Sequence, residues 1–379
     1  MTLLAAASVL AAALAAAPGP ASTSAPPPGS LTKAPSKAAL PTDSLFHVAW
    51  RKTLVEPYLL EYKPFEPAGP GVDPLTGMVV AGTRDGYVQA YSADGKELWY
   101  AGLVGPYLAP PTIADGLVFV AGIDGRIFAF DAARGDFRWM YRYREEFASQ
   151  PVAAGELVYF ATLEGTLLAL EARTGNWKWH FRREPTGKFL ILGVGRPAVV
   201  DGVVYQGFAD GSVVALDALT GAVKWDRKVG RGIYPDIDAD VQVSKDRVFV
   251  ASYAGQVAAL DRASGGPVWE AKAPDAYKAI LDGDVLVVVT TKDVYAFDAR
   301  TGSQRWKSPH EGNPLADPVV TRGLVLVPVG KGLLILDRKN GKKLRFFTRG
   351  SGVSGSPAIL GKRLYLMSNT GELIAVDLQ

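Results

Sequence analysis

A single pattern returns along most of this chain at intervals of roughly forty residues, and it constrains the fold more than any other feature. The segments GIDGRIFAFDAARGDFRW, TLEGTLLALEARTGNWKW and FADGSVVALDALTGAVKW show it most plainly: a tight turn, a strand, a D-x-x-T-G-like turn, and a strand carrying tryptophan. Six copies are clear, and two weaker ones follow, GKGLLILDRKNGKKLRF and NTGELIAVDLQ. The first turn places glycine at Gly86, Gly125, Gly165, Gly211, Gly255, Gly332 and Gly371, with Asp293 at that place in the sixth copy. The tryptophans are Trp99, Trp139, Trp179, Trp225, Trp269 and Trp306, and Arg345 replaces the residue in the seventh copy. A unit of this size cannot bury its apolar faces alone, so neighbouring copies must stack, and the period is that of one β-propeller blade.

The local chemistry agrees. Runs such as LVFVAG, VVYQGF and VVALD are rich in β-branched and aromatic residues, and the DG, EG or AG between them supplies a hairpin turn with positive φ. In the following turn, Asp217 and Asp298 are placed to accept backbone amides two or three residues on, while Gly221 and Gly302 take the left-handed position. One tryptophan per copy, each able to bury on the order of 200 Å², suits packing between adjacent blades. The expectation is an all-β, eight-bladed β-propeller of four-stranded repeats, or seven blades if the last weak copies merge. The eighth copy lacks a tryptophan strand, and the segment around Trp50 is a tryptophan strand without a copy. Pairing the two would close the ring and leave no open sheet edge between its ends.

Ahead of the repeats, residues 3–17 form an apolar run that reads as the core of a signal peptide over 1–17. Residues 18–41 turn to Pro, Ala, Ser and Gly and read as a disordered spacer, leaving 42–379 for the propeller. Export to the periplasm follows as an expectation. The sequence has no cysteine, which excludes disulfides, thiolate metal sites and a lipid-bearing cysteine, so contact with a membrane is expected through a partner. Lys and Arg total 41 against 38 Asp and Glu, scattered without a basic stripe, so nucleic acid is not an expected partner.

No catalytic constellation stands out. His47, His180 and His310 fall in unrelated copies, no glycine-rich phosphate loop opens a helix, and Asp236-x-Asp238-x-Asp240 lacks the glycine and terminal Glu of a calcium loop. Arg142, Arg144, Glu145 and Glu146 read as a solvated charge cluster. Neither a cofactor nor a bound metal is expected, and the chain reads as a non-enzyme. Two connections, however, have grown: the tryptophan spacing is 40 between Trp139 and Trp179, 46 to Trp225 and 44 to Trp269. Extra length in adjacent repeats tends to map to one face, often the binding face. Phe189-Leu190-Ile191-Leu192 is then either tucked under the ring or offered to a partner. Asp236, Asp238 and Asp240 alternate along the other connection, where they either meet a basic partner or a metal ion or are simply solvated.

The element A-x-D-x-x-T-G-x-x-x-W, as in ALDALTGAVKW and AFDARTGSQRW, resembles the PQQ-type propeller repeat, across essentially everything after residue 45. That repeat occurs both in quinoprotein dehydrogenases and in non-catalytic periplasmic propellers. The chain is more similar to the BamB family of outer-membrane assembly factors, on the strength of PTGKFLILGVGR at 185–196 and RGIYPDIDADV at 231–241. The resemblance implies eight blades and a scaffold role. It implies docking on the periplasmic domains of the barrel-forming assembly subunit through Phe189, Leu190, Leu192, Arg231, Tyr234, Asp236 and Asp238. Two departures stand out: Gly193 replaces an expected arginine, and the lipid-bearing cysteine is missing. The alternatives are a small PQQ-dependent quinoprotein oxidoreductase and a sensory or adhesive propeller.

Overall fold

Each copy of the repeat contributes three strands to a four-stranded antiparallel sheet, and eight such sheets form in the computed structural model. The structure describes residues 46–56, 65–102, 109–184, 193–312, 316–348 and 351–378. Blades are numbered here from the strand Pro70–Val72. Blade 4 shows the plan: Ala198–Val200, Val203–Gly207, Ser212–Asp217 and Val223–Lys228 run from the channel to the rim. The middle strands are covered on both faces by neighbouring blades, so Val204, Tyr205, Val213, Val214, Ala215 and Leu216 are all buried. Along the rim strand only Trp225 is buried, while its neighbours face solvent.

The weak seventh and eighth copies do not merge, so the count is eight. Blade 8 joins Ala358–Leu360, Arg363–Met367 and Glu372–Leu378 to the N-terminal strand Phe46–Thr53, with Trp50 opposite Ala375 and Phe46 opposite Leu378. The tryptophan strand without a copy therefore completes the copy without a tryptophan strand, as the sequence pattern led us to expect.

Seven junctions carry one lock. The indole Nε1 of Trp50, Trp99, Trp139, Trp179, Trp225, Trp269 and Trp306 donates to a backbone carbonyl in the D-x-x-T-G-like turn of the next blade, at 2.8–3.0 Å. The ring lies flat against that turn's glycine. At Gly221, with φ +73°, an added Cβ would stand 2.8 Å from the ring of Trp179, so the residue must be glycine for both reasons. Asp217 Oδ1 accepts the amides of Leu219 and Thr220 at 3.2 and 3.1 Å, which shapes the same turn.

The junction between blades 7 and 8 departs from this plan. The third and fourth strands of blade 8 come from opposite ends of the sequence, so no turn joins them, and blade 7 has Arg345 in the place of tryptophan. Ile335 stands opposite Arg345, where the other seven blades pair alanine with tryptophan, as at Ala215 and Trp225. Phe46 packs edge-on against Phe347 at 5.2 Å, and the Arg345 guanidinium lies 5.7 Å over the Phe46 ring. Asp377 stands where the turn aspartate stands in other blades. It binds Arg363 through two bonds of 2.6 and 2.8 Å, and Arg363 reaches on to the Ala93 carbonyl of blade 1.

Candidate partner-binding face

The connections that carry the chain from one rim strand to the next channel strand emerge on one face of the ring, beside the turns between second and third strands. The long connection between blades 4 and 5 is stitched down at its base. Val229 and Gly230 donate to the Gly211 carbonyl at 2.9 and 2.8 Å, the Ser252 hydroxyl donates to the Pro235 carbonyl at 2.9 Å, and Tyr253 N–H donates to the Asp236 carbonyl at 2.8 Å. Its tip stands free in solvent: Ile233 is 78% exposed and Tyr234 41%, with the Tyr234 ring edge-on to Tyr253 at 6.4 Å. Arg231 pairs with Glu270 at 2.5 Å, and its N–H donates to Gln256 Oε1 at 3.0 Å.

The acidic run does not lie on the surface. Asp236, Asp238 and Asp240 are all buried, which removes simple solvation as an account of them. The chain dives from the exposed tip into the channel wall within a few residues, and the alternating carboxylates go with it. Asp238 lies against Gly193, whose added Cβ would stand 2.7 Å from the carboxyl carbon, and Asp238 Oδ2 has no hydrogen-bond partner among the described residues. Burial and then the neighbouring Asp236 charge push its pKa up to about 7. Where the family resemblance anticipates an arginine, Gly193 brings no side chain at all. Phe189, Leu190 and Leu192 lie outside the described residues.

Inside the channel, residues near the start of the channel strands of six successive blades meet: Gln150, Arg196, Asp240, Lys278, Asp317 and Ser356. Arg196 donates to Gln150 Oε1 at 2.9 Å, its backbone N–H donates to Asp240 Oδ1 at 2.7 Å, and its guanidinium pairs with Asp240 at 3.2 Å. Lys278 pairs with Asp317 at 3.2 Å, and the Ser356 hydroxyl donates to Asp317 Oδ2 at 2.8 Å. Burial alone would lower the Lys278 pKa, but the Asp317 and Asp240 carboxylates outweigh it and hold the ammonium charged. Two cations and two carboxylates thus neutralise one another around a cavity of about 70 Å³. Sequence reasoning missed this hub apart from Asp240. A signal was present: Gln150, Arg196, Asp317 and Ser356 each directly precede a proline and a small or β-branched residue, a repeated start for the channel strand.

The other charge cluster also differs from expectation. Glu145 is buried, accepting from the Thr162 hydroxyl at 2.7 Å and paired with Arg182, so it anchors a connection to the turn beneath instead of solvating it. His47 and His180 lie in the rim strands of blades 8 and 3, and His310 directly follows the rim strand of blade 6.

The sequence profile of the family described as "Outer membrane protein assembly factor BamB" matches residues 84–308 and 255–379, which is most of the propeller. The outer membrane protein assembly factor BamB of Burkholderia pseudomallei (strain K96243) is 40% identical over 77 residues, 20% of this chain and 20% of that protein. The chain therefore aligns with only a fifth of that relative's length. Among solved structures, BamB from Moraxella catarrhalis superposes with a TM-score of 0.77 at 22% identity, covering 88% of this chain and all of that one. A europium-containing methanol dehydrogenase superposes with a TM-score of 0.69 at 15% identity, covering 88% and 93%. At those identities the two structures speak for the fold alone.

Proposed function

The chain belongs to the family of the outer membrane protein assembly factor BamB, and from that premise we propose that it is a non-catalytic periplasmic scaffold. It assists assembly of β-barrel proteins into the outer membrane by docking on the periplasmic domains of the barrel-forming subunit. The observation that carries this reading is the tip of the connection between blades 4 and 5. Ile233 and Tyr234 are offered to solvent from a base fixed by main-chain hydrogen bonds, a preorganised apolar contact with the Arg231 charge beside it. We assign docking to Arg231 and Tyr234 together with Phe189, Leu190 and Leu192 of the preceding connection. Asp236 and Asp238 underlie the same site: both are buried beneath the tip, and the Asp236 carbonyl accepts Tyr253 N–H to fix the connection there.

The quinoprotein alternative is disfavoured by the hub. A planar three-ring tricarboxylate quinone would need a pocket of several hundred Å³ with uncompensated cations. The described residues leave about 70 Å³, with Arg196 and Lys278 already neutralised by Asp240 and Asp317. These residues do not fit that group.

The test is titration of the full chain against the periplasmic domains of the organism's own barrel-forming subunit. Binding in the micromolar range or tighter is expected. Arg231→Glu/Tyr234→Ala and Leu190→Ala/Leu192→Ala should each weaken it about tenfold, roughly 1.4 kcal/mol. No binding by the folded wild type would overturn the partner. Undiminished binding by both variants would overturn the face.

A further inference from the structure

Elsewhere in the chain the basic residues are scattered, but one short stretch of blade 7 gathers them. Residues 337–347 hold Arg338, Lys339, Lys342, Lys343 and Arg345 against Asp337 alone, a balance of +4 where the whole chain carries +3. From this stretch we infer that the rim of blade 7 binds the surface of an anionic lipid bilayer, with its cations at the phosphates and two apolar side chains inserted beneath them. The inference does not rest on the scaffold reading, because the stretch lies three blades from the proposed docking tip, on the rim and on the opposite face of the ring.

The turn that carries the lysines, between Leu333–Asp337 and the rim strand Lys343–Phe347, is held in one shape. Asp337 Oδ1 accepts the amides of Lys339 and Asn340 at 2.9 and 3.1 Å, and the indole of Trp306 donates to the Arg338 carbonyl at 2.8 Å while lying against Gly341. Arg338 is turned inward and paired with Asp282 at 2.7 Å. Lys339, Lys342 and Lys343 stay exposed and have no ion-pair partner among the described residues. The neighbouring rim differs: in blade 6, Arg305 is paired with Asp298 and Lys307 with Asp293. Three fixed, uncompensated ammonium groups are preorganised for anions from outside the chain.

The rim strand adds the apolar part. In blade 4 the third residue of the rim strand is the buried Trp225, but in blade 7 Arg345 stands there and the four residues Lys343, Leu344, Arg345 and Phe346 are all exposed. Leu344 is 41% exposed and Phe346 44%, each beside a cation in the sequence. A soluble acidic segment would answer the cations alone. A bilayer surface answers both: its phosphates lie at the level of the ammonium groups, and the acyl boundary just beneath receives Leu344 and Phe346. The stretch is on the outer circumference of the ring, so one broad surface can meet turn and strand together.

Co-sedimentation of the full chain with phosphatidylcholine vesicles, with and without phosphatidylglycerol, tests this. Retention on the anionic vesicles is expected to exceed that on phosphatidylcholine alone and to fall as salt rises. Lys342→Glu/Lys343→Glu should weaken binding to the anionic vesicles about tenfold or more, and Leu344→Gln/Phe346→Gln should weaken it severalfold at the same salt. All four side chains are exposed, so both variants should keep the wild-type unfolding curve. Arg231→Glu/Tyr234→Ala leaves the stretch untouched and should bind vesicles as wild type does, which keeps this reading separable from the scaffold. Equal retention on both kinds of vesicle, indifference to the lysine reversal, or full binding by the apolar variant would each overturn the proposal. So would capture of soluble polyglutamate by a chain that leaves the vesicles unbound.

Discussion

The junction between blades 3 and 4 and the junction between blades 7 and 8 join the same kind of sheets, yet they are held together by different means. In the first, Trp179 is buried, donates to the Ala218 carbonyl at 2.9 Å and lies against Gly221. In the second, Arg345 lies exposed over Phe46, and Phe46 packs edge-on against Phe347. The difference teaches that lock and receptor vary as a pair. An indole at 345 would have no glycine turn to receive it, because strands from opposite ends of the sequence make up blade 8. At the junction of blades 8 and 1, where blade 1 does present Gly95, Trp50 keeps the lock although it precedes every copy of the repeat. At the hub, the two blades meet through Asp317 and Ser356.

The sharpest way to break this comparison is to remove the residue in question from each junction. Trp179→Ala should cost about 3–5 kcal/mol, the range for deleting a large buried aromatic that also loses a hydrogen bond. Arg345→Ala should cost less than about 1 kcal/mol, since contacts made by an exposed side chain contribute little. Urea unfolding of both variants measures the gap. Equal losses would mean that the seam depends on Arg345 as much as the other junctions depend on tryptophan.

The same contrast between a group that meets its counterpart and one that does not recurs in the channel wall. Asp240 has Arg196, whereas Asp238 faces Gly193 and has no opposing cation in contact among the described residues. With its pKa raised from the ordinary 3.8 to about 7, Asp238 keeps its proton in the folded state where the unfolded chain has released it. The folded state therefore loses stability as pH rises from about 4 to about 7, by up to about 4 kcal/mol, and the loss is complete above that window. Asp238→Asn should remove this slope, so the variant is more stable than wild type at pH 8 and close to it at pH 4. Chemical denaturation at several pH values decides it. Parallel curves for the two proteins would show that Asp238 is ionised throughout and has found a partner.

Much of this was legible in the sequence, and the reasons are physical. The blade plan shows because its strands are short, β-branched and bounded by turns that demand glycine, as at Gly211 and Gly221. Closure by the N-terminal strand shows because Trp50 is an indole spaced like the others but lacking a copy. The depth of Asp236 and Asp238 does not show. Alternating carboxylates look alike whether they skirt a surface or descend a channel wall, and only the neighbouring blades determine which. The hub escaped for a related reason: Arg196, Lys278 and Asp317 come from three blades, and no local pattern announces that they meet. The substitution of Arg345 was visible, but its consequence, a junction packed by Phe46 and Phe347, appears only when the strands of blade 8 are seen beside it.

The mildest test of the comparison separates backbone strain from the lock itself. Gly221 and Gly361 both have positive φ, +73° and +62°, so alanine at either position adopts a left-handed conformation at about 1 kcal/mol. They differ in what a methyl group would meet. At Gly221 it would press on the Trp179 ring, 2.8 Å away, whereas at Gly361, in the turn between the first two strands of blade 8, nothing lies within 4 Å. Gly221→Ala should therefore cost about 2–3 kcal/mol, strain plus overpacking, and Gly361→Ala only the strain. Adding each change to Trp179→Ala provides the control. With the indole gone, the excess at Gly221 should vanish while the cost at Gly361 stays the same, because only the first glycine is the receptor of a lock. An excess that persists without the indole would assign it to the turn's own backbone, and the lock would then rest on burial of the tryptophan alone.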